Sequence, residues 1–249
     1  MEHWEAWCNL GGSLLGALGG LYLTYDILGG KDGPLAGVTR VVTYTAIFGV
    51  AYSLGMGLRF GLIASLGMGV NLGYDFYMEA RRVRAKGKPR HWITEIILGS
   101  SRALAVAVGL AAITNAKVFV FFFPIYGIFN SLVYLLGFSP VDNLKACRYL
   151  AVQPKNIWLS LLRILGAGLS FWAAVYLASA MAGHAFSFVP AWQFGLTIGC
   201  TSFIVAYITP WVEWKVDRLS RRWLAVVGVT FAILGFIIQA VPNWIVLLQ

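Results

Sequence analysis

This sequence predicts an all-α polytopic bundle of about eight membrane-crossing helices, on three observations. Of its 249 residues 59% are hydrophobic and only 12% charged, against roughly 25% charged in soluble domains. Apolar runs of about 20 residues, the length that spans the hydrocarbon core, recur along the chain with short polar links between them. When those runs are read as spans, all but Arg59 and Lys117 of the 19 Lys and Arg residues fall on one side. Segments rich in Lys and Arg stay in the cytoplasm during insertion, so both termini are expected on the non-cytoplasmic side. Eight crossings use on the order of 160 residues, which makes residues 1–249 a single transmembrane domain. The expected location is a bacterial inner (plasma) membrane.

The chain opens with Met1, Glu2, His3, Trp4 and Glu5. A cleaved signal peptide starts with a positive region instead, so the first apolar run, about residues 8 to 29, is expected to remain as a helix. Gly29, Gly30, Lys31, Asp32, Gly33 and Pro34 form its stop, since glycine and proline end helices. From Gly37 to Gly73 the apolar run is too long for one helix and is broken at Gly55, Gly57 and Arg59. Splitting it there predicts helices at about 38 to 56 and 60 to 80, joined by a tight turn. The basic segment from Arg81 to Arg90 follows.

A fourth helix is expected at about 96 to 114 and a fifth at about 118 to 138, where Pro124 bends the helix by removing a backbone donor. The loop from Ser139 to Asn156 carries Lys145, Arg148 and Lys155. A sixth helix runs at about 157 to 182, a seventh to about Trp214, and an eighth at about 223 to 247 after Lys215, Arg218, Arg221 and Arg222. Tryptophan agrees with this threading, because interfacial anchors belong at the ends of spans. Trp4, Trp7, Trp192 and Trp244 fall near the outer boundary, Trp92, Trp158, Trp211, Trp214 and Trp223 near the inner one, and Trp172 alone in mid-helix.

Residues 8–114 and 118–247 read as two halves in the same orientation, a parallel internal repeat of four plus four helices. Phe60-Gly61-Leu62 matches Phe194-Gly195-Leu196, and the segment opening at Arg102 matches that opening at Arg222. Gly20, Thr24, Leu28 and Gly30 share their spacing with Gly127, Ser131, Leu135 and Gly137. Transporters use parallel repeats of this kind.

Candidate solute or ion ligands lie at corresponding helix ends: Asn71, Asp75 and Glu79 on the third helix, Glu213 and Asp217 on the seventh. Carboxylates four residues apart share a helix face, and two such faces could hold a divalent cation through oxygen ligands. In composition these clusters are similar to the aspartate-rich motifs of intramembrane prenyltransferases, which implies a metal-dependent lipid or prenyl-group enzyme. The doubled Asn-Asp start of those motifs and the second motif's two aspartates are absent here. The competing reading is that Arg81, Arg82, Arg221 and Arg222 neutralise the carboxylates. Asp26 is a further candidate, because a carboxylate inside a span is costly; reaching interfacial water or pairing with Arg40 is its plainer explanation. Arg59 is a candidate anion or headgroup contact at the outer turn, or simply an interfacial anchor. Arg102 and Arg163 are read as snorkelling toward the cytoplasm, so that no charge reaches mid-membrane. Gly12, Gly16 and Gly20 form a stripe that lets helix backbones approach.

No catalytic residue, metal site or cofactor is expected. Cys8, Cys147 and Cys200 have no metal spacing, and His3, His91 and His184 fall at ends or in loops. Basic links between apolar runs are explained by insertion and anionic lipid, so membrane lipids, a second copy or other membrane proteins are the expected partners, and not nucleic acid. Three functions remain open: a small-solute or ion transporter or channel, a non-catalytic subunit or scaffold of a membrane complex, and the metal-dependent enzyme above.

Overall fold

A computed structural model describes residues 2–27, 35–84, 91–135, 154–183, 188–205 and 221–247. Among them are eight helices and no strand: α1 Glu2–Ile27, α2 Leu35–Met56, α3 Leu58–Arg84, α4 Trp92–Ile113, α5 Ala116–Leu135, α6 Pro154–Met181, α7 Phe188–Phe203 and α8 Arg221–Leu247. Leu35–Met56, Trp92–Ile113, Ala116–Val133 and Arg222–Pro242 are long and apolar enough to cross a membrane. The surface agrees with a lipid setting. Leu54, Leu66, Val120, Ile128, Phe236 and Trp244 are exposed, and soluble proteins keep such large apolar side chains mostly inside.

The single residue between α2 and α3 is Gly57, with φ +92°, a backbone conformation that a Cβ disfavours. It reverses the chain, and the two helices then lie antiparallel along one seam. A Cβ built at Gly61 would stand 2.6 Å from the Ser53 nitrogen, one at Gly69 2.6 Å from the Thr45 nitrogen, and one at Gly73 2.5 Å from the Val41 Cα. Ser65 sits over Gly49 and Tyr77 over Gly37 at 3.6 Å. Every fourth residue from 61 to 77 therefore meets every fourth residue from 53 back to 37. Small residues at that spacing let dispersion and backbone contact hold helices that gain nothing from leaving lipid.

Closest packing follows the order α2 on α3, α3 on α4, α4 on α5, α5 on α6 and α6 on α7, and α7 returns to α2. Six helices thus close a ring. At the closure the Gln193 amide donates to the Gly55 carbonyl at 3.0 Å, and Gly55 faces Thr197. The ring's interior is filled by side chains: Phe60 stacks on Phe194 at 6.3 Å, Phe122 meets Phe171 edge-on at 5.4 Å, and Tyr126 meets Phe171 at 5.3 Å. Phe60 and Phe194 hold equivalent places in the two halves read from the sequence.

Outside the ring α1 and α8 pack on each other and reach it through α1 on α2. The α1–α8 seam is again backbone against backbone. A Cβ on Gly12 would lie 2.5 Å from the Gly235 carbonyl oxygen, and one on Gly19 2.6 Å from the Gly228 carbonyl oxygen. The glycines that make this approach are spaced by seven residues on both helices.

Candidate functional site

The most polar buried group in the described residues lies between α3 and α4. Arg102 is the eleventh residue of the 22 in α4, about 15 Å from Trp92 at the rise of an α-helix. It does not reach the helix end, as the sequence reading had it; it is buried at 6% exposure. The difference arises because α4 starts at Trp92, four residues earlier than expected, with the His91 Nδ1 accepting from the Ile93 backbone N–H at 3.4 Å. Extending the helix backwards moves Arg102 to its middle.

Two candidates from the sequence receive this guanidinium. Its Nε donates to the Asn71 Oδ1 at 2.8 Å, and its NH2 group donates to the Asp75 Oδ2 at 3.4 Å. Asp75 is 1% exposed. An ion pair thus stands inside the bundle, where the sequence reading expected no charge. Residues 71 and 75 are one helical turn apart on α3 and share a face, which is why one arginine meets both.

Neighbouring groups keep the amide oriented. The Asn71 Nδ2 donates to the Leu98 carbonyl at 3.2 Å and contacts the Ser101 hydroxyl, which itself donates to Leu98 at 3.0 Å. With both amide hydrogens directed at α4, the Asn71 oxygen is left to face Arg102. One turn away on the other side of α4, Ser100 and Ser131 share a hydrogen bond at 3.1 Å, and Gly99 lets the α5 backbone come close. Tyr52 on α2 and Tyr126 on α5 are both buried in the same aromatic core. Arg40 of α2 is also buried, its guanidinium donating to the Ala36 carbonyl at 3.3 Å. Its backbone abuts Gly73, between Asn71 and Asp75.

The other candidates are dispersed. Asp26 and Glu79 lie on the described backbones of α1 and α3, but their side chains are outside the described set, as are residues Glu213 and Asp217. Whether the two acidic clusters meet is therefore not part of this geometry. Arg59 is exposed on the second residue of α3. Among the described residues no three His, Cys, Asp or Glu side chains gather as a metal site. Of the glycine stripe, Gly12 packs on α8, and Gly16 contributes its backbone beneath Gly235. A Cβ at Gly16 or Gly20 would meet nothing within 4 Å, and it is Gly19 that makes the second close approach.

Between α1 and the α2–α3 pair runs a separate apolar crevice of about 240 Å³, lined by Gly11, Leu14, Gly49, Val50, Leu62 and Leu66 among others. It opens on the exposed leucine surface and holds no charged group. No protein-family model matches the chain, and no curated protein or solved structure is similar enough to count as a match.

Proposed function

We propose that this chain is a small polytopic transporter or channel-like protein of the bacterial inner membrane, moving a small solute or ion along the interior of the six-helix ring. The observation that carries the proposal is the buried Arg102, held at the middle of α4 by Asn71 and Asp75. An arginine at that depth costs about 2.5–3.5 kcal/mol on insertion scales, and such residues line solute and ion pathways more often than they serve packing. The eight-span threading, both ends outside, and the relation between the two halves belong to the same proposal. The matched Phe60 and Phe194 stack on each other at 6.3 Å, which is the one contact that favours the repeat.

A second reading, a non-catalytic subunit packed among other membrane proteins, is favoured by a different observation. Phe60, Phe122, Phe171, Tyr126 and Phe194 fill the ring, so in this state it offers a dry interior. The metal-dependent enzyme reading is the weakest of the three, since Asp75 is engaged by a guanidinium and a cation would have to compete with it.

The full chain in proteoliposomes separates these readings. Efflux of acetate, phosphate, rubidium or glycerol above that of empty vesicles is expected, together with its loss in Arg102→Gln. Absence of flux for all four, with stoichiometric recovery of a fixed partner from native membranes, would overturn transport in favour of the subunit.

A further inference from the structure

We infer that the crevice between α1 and the α2–α3 pair holds one acyl chain of an anionic phospholipid, whose phosphate rests on Arg59. The inference does not depend on the transport reading. It requires only that these helices stand in lipid, and α2, which forms one wall, is long and apolar enough to cross a membrane.

The chemistry of the walls selects the occupant. Thr45, Ser53 and Ser65 border the crevice but present almost no polar surface to it, and the Ser65 hydroxyl donates back to the Leu62 carbonyl at 3.2 Å. A held water needs two to four polar partners, so water does not fill this space. Left empty, a crevice of about 240 Å³ forfeits dispersion contacts along its walls. Val50, Leu62 and Leu66 line it and are exposed, so it is continuous with the surface that faces lipid. An acyl chain enters from that side. Gly11 leaves room for it on the α1 wall, where a Cβ would meet nothing within 4 Å.

Depth and charge extend the ligand to a whole phospholipid. The α2 span ends at Met56 and Gly57 turns the chain, so that turn marks one edge of the bilayer. Leu62 and Leu66 lie about 8 and 14 Å along α3 from Gly57 at the rise of an α-helix, within the roughly 15 Å depth of one leaflet's hydrocarbon. Arg59 is exposed one turn nearer the edge. Residues 59, 62 and 66 share a helix face, because positions three and four apart are neighbours. A guanidinium at headgroup depth pairs with a phosphate, and the acyl chain below it then runs along Leu62 and Leu66 into the crevice.

The test titrates the purified full chain in dodecylmaltoside with dioleoyl phosphatidylglycerol and counts retained lipids by native mass spectrometry. One lipid per chain is expected to bind ahead of any others. Gly11→Leu fills the crevice from α1 and should weaken that first binding on the order of tenfold, the worth of about ten lost atomic contacts. Arg59→Gln should weaken it about fivefold, the worth of one cationic side chain beside anionic lipid. Val120→Leu, on the exposed face of α5, should leave it unchanged. Gly49→Ala puts a Cβ in the crevice at an ordinary 3.6 Å from Ser65 and supplies a smaller obstruction should Gly11→Leu not fold.

Unchanged first binding in Gly11→Leu, or in Gly49→Ala where Gly11→Leu does not fold, overturns the inference, as does full affinity in Arg59→Gln. So does a wild type with no preferred first lipid, or one that retains a second copy of the chain instead. Competition by free glycerol phosphate would show a site for the anion alone and overturn it as well.

Discussion

Two adjacent glycines of α1 should respond to the same substitution in opposite directions. A Cβ at Gly19 would stand 2.6 Å from the Ala232 nitrogen and from the Gly228 carbonyl oxygen, whereas one at Gly20 meets nothing within 4 Å. Alanine is better than glycine in a helix by about 1 kcal/mol, so Gly20→Ala should stabilise by up to that amount. Gly19→Ala gains the same propensity but must push α8 away by about 0.9 Å to restore a contact near 3.5 Å. A radial gap of that size forfeits a quarter to a half of each atomic contact along the seam, and overpacking of this kind costs about 1–3 kcal/mol. The net expectation is a loss of up to about 2 kcal/mol for Gly19→Ala and a separation of about 1–3 kcal/mol between the variants. Reversible unfolding in mixed dodecylmaltoside and SDS micelles measures it. Equal stabilities, or a less stable Gly20→Ala, would refute the assignment of α8 to the Gly12 and Gly19 face of α1.

The ion pair makes a second prediction: Arg102→Met leaves a buried carboxylate and should cost about 3–5 kcal/mol. Adding Asp75→Leu should recover much of that loss, and a double-mutant cycle that is additive within about 0.5 kcal/mol would show that the two side chains do not interact. At Gly57, φ +92° makes Gly57→Ala destabilising by about 1–3 kcal/mol, read by the same unfolding assay; a neutral result would remove the strained turn between α2 and α3. Single cysteines placed between Arg81 and Arg90 and between Lys215 and Arg222, in a background lacking Cys8, Cys147 and Cys200, should react with an impermeant maleimide only after the cytoplasmic face is opened. Labelling of the two stretches from opposite faces would undo the threading.

Length and apolarity made the helices legible. The expected breaks at residues 29 to 37, 55 to 60, 80 to 96 and 114 to 118 all fall within a few residues of described helix ends, because glycine, proline and charge punctuate an apolar chain sharply. The site was half legible. Asn71 and Asp75 stood out as polar residues on one helix face, but their partner did not, since an arginine one or two turns inside a span looks the same whether it snorkels or is buried. The missing signal was the start of α4: once Trp92 is its first residue, Arg102 cannot reach either end. The glycine stripe was misaligned for a related reason. A spacing of four suggested Gly12, Gly16 and Gly20, but α1 and α8 meet every seven residues, at Gly12 and Gly19 against Gly235 and Gly228. A run of glycines carries several periods at once, and only the partner helix selects among them.

Stability is a poor explanation for the Arg102 and Asp75 pair. Apolar residues of similar volume often replace a buried ion pair at no cost, or with a gain of about 1–4 kcal/mol, and the α3–α4 interface already has an apolar alternative in hand. Gly67 receives Ala105 there, and Gly109 receives Ala64 and Phe60, so the two backbones are close without help from charge. Asn71 adds to the argument. Its amide is held by the Leu98 carbonyl and Ser101, an arrangement that orients a guanidinium and does little else. Four polar side chains, Asn71, Asp75, Ser101 and Arg102, thus gather around one charge at mid-helix, an arrangement that stability alone does not account for. The aromatic filling bears on the proposed transport in turn: Phe60 and Phe194 stack at 6.3 Å, and a solute moving along the ring under that proposal has to part them.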